Sequence, residues 1–188
     1  KRGTLDIDYI AAIDELPYGS LQDAINSADN QTITLVKDLV LESPVEITSG
    51  KSVTLDLNGH TLSETATSAA ASCLVAVKGG GSLTIKNGTI THAGNTAAIK
   101  AFNGSSVENV TINATCATAD KTVTGIAVQQ GANVESIKNV TINGVSQGIE
   151  VGYQATVGLI ENAVVNESNN GTAKGIGLVI NGGKVGVA

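Results

Sequence analysis

Apolar and polar residues alternate along most of this chain in short bursts, and one burst recurs. Ile85-Lys-Asn-Gly-Thr-Ile90, Val107-Glu-Asn-Val-Thr-Ile112, Ile137-Lys-Asn-Val-Thr-Ile142 and Ile160-Glu-Asn-Ala-Val-Val165 each carry a branched apolar anchor, a charge, an Asn and an apolar close. A weaker copy, Leu57-Asn-Gly-His-Thr-Leu62, precedes them, and the anchors are 28, 22, 30 and 23 residues apart. A second pattern leads each later copy, with apolar residues two apart at Val75/Val77, Ile99/Ala101, Ile126/Val128 and Ile149/Val151. A period of two predicts strands with one buried face. Turn residues follow each leading strand (Gly79-Gly80-Gly81, Asn103-Gly104, Gln130-Gly131, Tyr153-Gln154), and the spacing leaves no room for crossover helices.

A sandwich or an up-and-down barrel also has short strands and regular turns. Neither requires the same residue type to return at the same place in every repeat. A parallel β-solenoid does, because each circuit stacks about 4.8 Å from the last and every position becomes a column. Asn87, Asn109, Asn139 and Asn162 form one such column. Asn tolerates the left-handed backbone of a sharp corner, and its amide can bond to the Asn above and below. Asn113, Asn143 and Asn166 form a second column. Between anchor and Asn the charge alternates, Lys86, Glu108, Lys138, Glu161, so that a slip of one coil would oppose like charges. These columns are read as stacking and register devices. The expected architecture is all-β, a single-stranded right-handed parallel β-helix of about six coils.

At the start, Ser20 stands as a helix N-cap with Asp23 at the reciprocal position, and Leu21, Ala24, Ile25 and Ala28 fall at helical spacing. This predicts a capping helix over 20–29 that covers the first coil. Residues 1–19 are then an N-terminal tail, 32–41 the first strand segment, and 32–188 the coils of a single domain.

Composition agrees with this architecture and narrows the partners. Val, Ile and Thr supply 57 of 188 residues, and aromatics only 2 %, a β-rich and helix-poor usage. Eleven basic residues, with Arg2 the one arginine, stand against 17 acidic ones, which argues against nucleic acid or an anionic membrane as partner. No apolar run approaches the roughly 18 residues of a membrane span. The chain opens at Lys1 and stops part-way through a strand at 185–188. This predicts a portion of a longer protein, with an uncovered end suited to end-to-end self-association.

The stretches Ser20–Ala28, Val53-Thr-Leu-Asp-Leu-Asn-Gly-His-Thr-Leu62 and Gly81-Ser-Leu-Thr-Ile-Lys-Asn-Gly-Thr-Ile90 together resemble the opening of the pectate-lyase-like, right-handed parallel β-helix superfamily. The resemblance covers most of residues 20–188. It implies the fold and is unspecific for activity. The Asp56–Leu62 segment is similar to non-enzymatic bacterial surface proteins, which implies a secreted or cell-surface location. Lyases of that superfamily use an Arg or Lys base and Ca²⁺ held by acidic side chains, and its hydrolases use paired carboxylates. After residue 38, Asp occurs only at 56 and 120, and the outward residues of the leading strands are Ala76, Lys100, Ala127 and Glu150. Glu108 and Glu161 sit two coils apart, each beside Lys. His60 and His92 fall in different columns, with no carboxylate in that of His60. No catalytic residue, metal site or cofactor is assigned.

Candidate binding residues are Phe102 and Tyr153, which follow leading strands two coils apart, about 10 Å from each other, and could stack sugar rings. Long loops leave one corner on every second coil, at Ser63–Cys73, Ala114–Thr124 and Glu167–Lys174, and carry Asp120, Lys121, Asn169 and Asn170. Cys73 and Cys116 lie in two of them. Their corners are about 9.6 Å apart, and the loops could fold toward each other to form a disulfide. The expected function is a non-catalytic module of a secreted or surface protein, acting as stalk, adhesin or contact for a polysaccharide or host glycan. The alternative is a carbohydrate-active enzyme, a polysaccharide lyase or glycoside hydrolase, whose site is incomplete in this chain.

Overall fold

The computed structural model describes residues 8–48, 50–65, 73–77, 79–115, 123–167 and 175–186. In chain order the elements are β1 (Ala11–Ile13), β2 (Leu16–Tyr18), α1 (Leu21–Ser27), β3 (Thr32–Leu35), β4 (Leu39–Leu41), β5 (Val45–Ile47), β6 (Ser52–Asp56), β7 (Thr61–Glu64) and β8 (Val75–Val77). There follow β9 (Ser82–His92), β10 (Ala97–Ala101), β11 (Ser106–Ala114), β12 (Thr124–Val128), β13 (Asn133–Val145), β14 (Gln147–Val151), β15 (Thr156–Glu167), β16 (Ile176–Ile180) and β17 (Lys184–Val185).

From β3 onward every described pairing is parallel and joins one circuit to the next. One sheet runs β3-β6-β9-β11-β13-β15-β17, a second β10-β12-β14-β16, and β5 pairs with β8. This is a parallel β-solenoid. Ile33, Leu55, Ile85, Val107, Ile137 and Ile160 are successive partners in one column. Five full turns therefore separate Ile33 from Ile160, one fewer than the repeat predicts, because the circuit after Ile160 does not return to that column among the described residues. Inward residues form a continuous apolar core: Ile90, Ile112 and Ile142 stack in register and are no more than 1 % exposed.

The predicted corner is present, and it does not break the strands. β9, β11, β13 and β15 pass through it on a single left-handed residue each: Asn87, Asn109, Asn139 and Asn162, with φ of +60°, +55°, +51° and +50°. Asn109 donates Nδ2 to Asn87 Oδ1 at 3.2 Å, Asn139 to Asn109 and Asn162 to Asn139 at 3.0 Å each. The second column behaves alike, Asn143 donating to Asn113 and Asn166 to Asn143 at 2.8 Å. The alternating charges also sit in register, Asp56 opposite Lys86, then Glu108, Lys138 and Glu161. Lys86 Nζ is 3.5 Å from Asp56 Oδ2.

The first ladder starts one residue type earlier than the repeat suggests. Asn87 donates to both Asp56 carboxylate oxygens at 3.2 Å. The residue aligned with Ile85 is Leu55 rather than Leu57, so the corner of that coil is two residues longer than its successors. One of its two extra residues is accommodated at Gly88. Val110 and Val140 fill this inward column on later coils, but a Cβ on Gly88 would lie 2.4 Å from Leu57 Cβ. Leu57, fully buried, thus fills from the coil below the space that Gly88 leaves.

The Asn87–Asn162 ladder is mostly solvent-facing, and Asn109, Asn139 and Asn162 are exposed. Its value therefore lies in tolerating positive φ and in linking coils, not in satisfying buried groups. Asn139→Ala is expected to cost about 1–2 kcal/mol, most of it the left-handed backbone. Asn139→Gly keeps that backbone and removes only the amide links, so it should cost less than Ala. Urea unfolding of both variants checks this, and a Gly variant as unstable as the Ala variant would assign the whole effect to the ladder.

The N-terminal segment is more structured than a tail. β1 pairs antiparallel with β2 and with β3, turning at Asp14 and Glu15, both at positive φ. This hairpin and α1 together close the first coil, with Ala11, Ile13, Leu21, Ala24, Ile25 and Ala28 buried. Ser20 Oγ accepts from Asp23 N at 3.3 Å, as the capping pattern requires. Lys51 closes the other end of the helix, with Nζ donating to the carbonyls of Ile25, Asn26 and Ala28. Gln22 pairs its side-chain amide with the Glu46 backbone in both directions, at 2.9 and 2.7 Å, as a neighbouring strand would. The predicted strand 32–41 is two strands, β3 and β4, with a corner between them. Val75 and Val77 belong to the β5–β8 pair rather than to the sheet of β10, β12, β14 and β16.

Candidate functional site

On the outer face, residues two apart along each strand put hydroxyls in register: Thr32, Thr54, Thr84, Ser106 and Ser136. Ser106 Oγ donates to Thr84 Oγ1 at 3.2 Å and Ser136 Oγ to Glu108 Oε1 at 3.1 Å. Beside this row runs a shallow open groove of about 320 Å³, lined by Asn30, Ser52, Thr54, Ser82, Thr84 and Glu135 among others. Its lining offers donors and acceptors spaced by the coil repeat, and one carboxylate. The signal was partly present in the sequence, since Thr84 and Ser106 each stand one residue before their anchors, but Thr54 joins them only once Leu55 rather than Leu57 is aligned with Ile85. It was missed because Thr and Ser on strands read as ordinary surface.

The predicted aromatic pair does not form a platform. Phe102 aligns with Gln129 and Tyr153 with Gln130, by continuation of the β10–β12–β14 register, so the two rings stand in adjacent columns. Phe102 packs against the core, and Tyr153 is 56 % exposed. The Tyr153 ring lies over Gly182, where a Cβ would come within 2.8 Å of it. Asp120, Lys121, Asn169 and Asn170 lie outside the described residues.

Inside the barrel is a pair that sequence reasoning overlooked. His92 is fully buried and Glu64 nearly so, with His92 Nδ1 2.6 Å from Glu64 Oε1, off the line of the ring N–H bond. The same oxygen accepts from Ala93 N at 2.9 Å and Gly94 N at 3.1 Å, and His92 Nε2 is 3.3 Å from Thr96 O. Burial alone would raise the Glu64 pKa. The contact with His92 and the two backbone amides outweigh it and hold the carboxyl below its ordinary value. The 28-residue step from Leu62 to Ile90 places 64 opposite 92, so the pair was legible once inward positions were allowed to be polar. His60, for its part, does have a carboxylate neighbour, Asp38 Oδ1 at 3.4 Å, brought there from the preceding coil by the longer corner. That carboxylate also accepts from Thr61 N at 2.8 Å, which makes it a turn brace.

Cys73 is buried, and its Sγ donates to Val75 O at 3.1 Å as a free thiol. Burial pushes its pKa up, and the charge of Glu64 adds to this against the pull of Lys100. Its predicted disulfide partner, Cys116, lies outside the described residues.

No family model, curated protein or solved structure matches this chain.

Proposed function

We propose that this chain is a non-catalytic β-helix module of a secreted or cell-surface bacterial protein, a rigid stalk whose outer face contacts glycan. The membership in the pectate-lyase-like superfamily, with its right-handed coil, is part of the same reading. The observation that carries it is the hydroxyl-, amide- and carboxylate-lined groove along the outer face, on coils that an Asn ladder links from Asn87 to Asn162. Polar side chains are placed at every coil to link it to the next, which suits an extended scaffold under lateral or tensile load. A groove lined by Ser, Thr, Asn and Glu matches the alternating donors and acceptors of a sugar chain. The acidic balance of the chain, with one arginine in 188 residues, favours a neutral over an anionic polysaccharide.

An NMR titration with neutral and acidic oligosaccharides tests this. Chemical-shift changes are expected at Thr54, Ser82, Thr84 and Glu135 with neutral oligosaccharides, with the sugar recovered intact. Cleavage of any polysaccharide by the purified chain would sink the non-catalytic reading, and absence of shifts on this face would sink the glycan contact.

A further inference from the structure

Past the Asn corner the outer surface changes character. There β7, β9, β11 and β13 each turn two side chains outward, two residues apart, and these stack into two rows. One row is Thr61, Thr89, Thr111 and Thr141. The other is Ser63, Thr91, Asn113 and Asn143, continued by Asn166. All of these residues are partly or fully exposed. Neither row holds a charged or aromatic residue on these coils; Asp38, one coil before Thr61, bounds the first. The glycan groove at Thr54 and Thr84 lies on the other side of the corner.

Three properties say what this array matches. The first is rigidity. Ile90, Ile112 and Ile142 between the two rows are no more than 1 % exposed, and Asn143 is tied to Asn113, and Asn166 to Asn143, at 2.8 Å. Thr is β-branched and stiff at χ1, which favours one orientation of hydroxyl and methyl on every coil. The second is unspent hydrogen-bonding capacity. The hydroxyls of Thr61, Thr89, Thr91, Thr111 and Thr141 have no partner among the described residues, and each Asn amide keeps a second N–H after its ladder bond. The third is spacing. Rungs repeat about every 4.8 Å, and the two rows stand about 6.7 Å apart, two residues along a strand. Both repeats are close to those of water oxygens on a prism face of hexagonal ice.

We infer that this array is a water-ordering face that adsorbs to ice. Its hydroxyls and amides hold a first layer of water at lattice positions, and the Thr methyls stand between those waters. Liquid water offers no fixed lattice to match, so the face is selective for the solid. Adsorbed protein then pins a growing ice front and lowers the freezing point below the melting point. A sugar polymer fits less well, because no aromatic ring stands on this face to stack it. A charged polymer meets no counter-charge here.

Nanolitre osmometry of the 188-residue chain tests this. A gap between melting and freezing points is expected, with ice crystals shaped into faceted hexagonal forms. Thr111→Tyr, a bulky ring in the middle of the array, should abolish both. Thr89→Lys places a charge on the same face and serves as a second block should Thr111→Tyr fail to fold. Lys100→Tyr, on β10 and outside the array, should leave both effects unchanged. Urea midpoints show which variants are folded. Absence of both the gap and the faceting in the wild-type chain would overturn the inference. So would full activity in a folded Thr111→Tyr or Thr89→Lys, or an equal loss in folded Lys100→Tyr. Oligosaccharide-induced shifts at Thr89, Thr111 and Thr141 without any freezing gap would assign the face to glycan instead.

Discussion

Glu64→Ala is expected to remove about 3–5 kcal/mol of stability, a fall of roughly 6–20 °C in Tm for a chain of this size. The loss comes from what is left behind: His92, wholly enclosed, loses the carboxylate beside it, and the Ala93 and Gly94 amides lose their acceptor. An unpaired buried polar group costs more than the pair was worth. The double variant Glu64→Leu/His92→Leu should therefore recover the share of the loss that comes from His92 but not that of the Ala93 and Gly94 amides, since Leu41 already occupies this column one coil earlier. The pH dependence has a definite sign. The Glu64 pKa is lowered in the fold from an ordinary value of 4.5. Its contribution is thus complete above that value and is lost as pH falls through the lowered one. Urea unfolding from neutral pH down into this acid range should show the wild-type chain losing stability there and Glu64→Ala losing less. A single variant within about 1 kcal/mol of wild type at neutral pH would mean that the buried pair contributes little net stability.

Ile112→Ala should cost about 2–5 kcal/mol, because Ile112 is fully buried and sandwiched between Ile90 and Ile142, leaving a cavity that rigid coils on both sides cannot close. Val165, next but one in that column, is only half-buried and borders an open groove. Val165→Ala should cost only about 1 kcal/mol or less, since its removal is accommodated by solvent. Calorimetric unfolding of the two variants compares them directly. Equal losses would show that the end coil is packed as tightly as the centre.

How far the fold was legible depends on whether a residue speaks to its own coil or to the next. Asn87, Asn109, Asn139 and Asn162 do both. Their left-handed backbone is a local preference and their amides stack, so repetition in the sequence translated directly into register. The same holds for Lys86, Glu108, Lys138 and Glu161. Leu57 misled because its role is to compensate Gly88 on another coil, and nothing local marks that exchange. The β1–β2 hairpin was hidden because Asp14-Glu15 lacks the Asn-Gly or Asp-Gly chemistry that usually marks two left-handed turn residues. At the candidate site, the aromatic pair was inferred from coil height alone, and a one-column offset between Phe102 and Tyr153 was enough to separate them. Glu64 and His92 escaped notice because a polar residue at an inward position reads as a break in pattern until its partner one coil away is found.

Coil-by-coil parallel stacking is tested most directly by disulfide trapping along one column, in a Cys73→Ala/Cys116→Ala background. Lys100 is opposite Ala127, and Ala127 opposite Glu150, on successive coils. Neighbouring Cα atoms in such a ladder are about 4.8 Å apart, inside the range a disulfide spans, and positions two coils apart are about 9.6 Å distant, outside it. The pairs Lys100→Cys/Ala127→Cys and Ala127→Cys/Glu150→Cys should therefore oxidise readily under mild conditions, with Lys100→Cys/Glu150→Cys remaining reduced. Oxidation of the two-coil pair as readily as the adjacent ones, or of neither adjacent pair, would contradict the stacked solenoid.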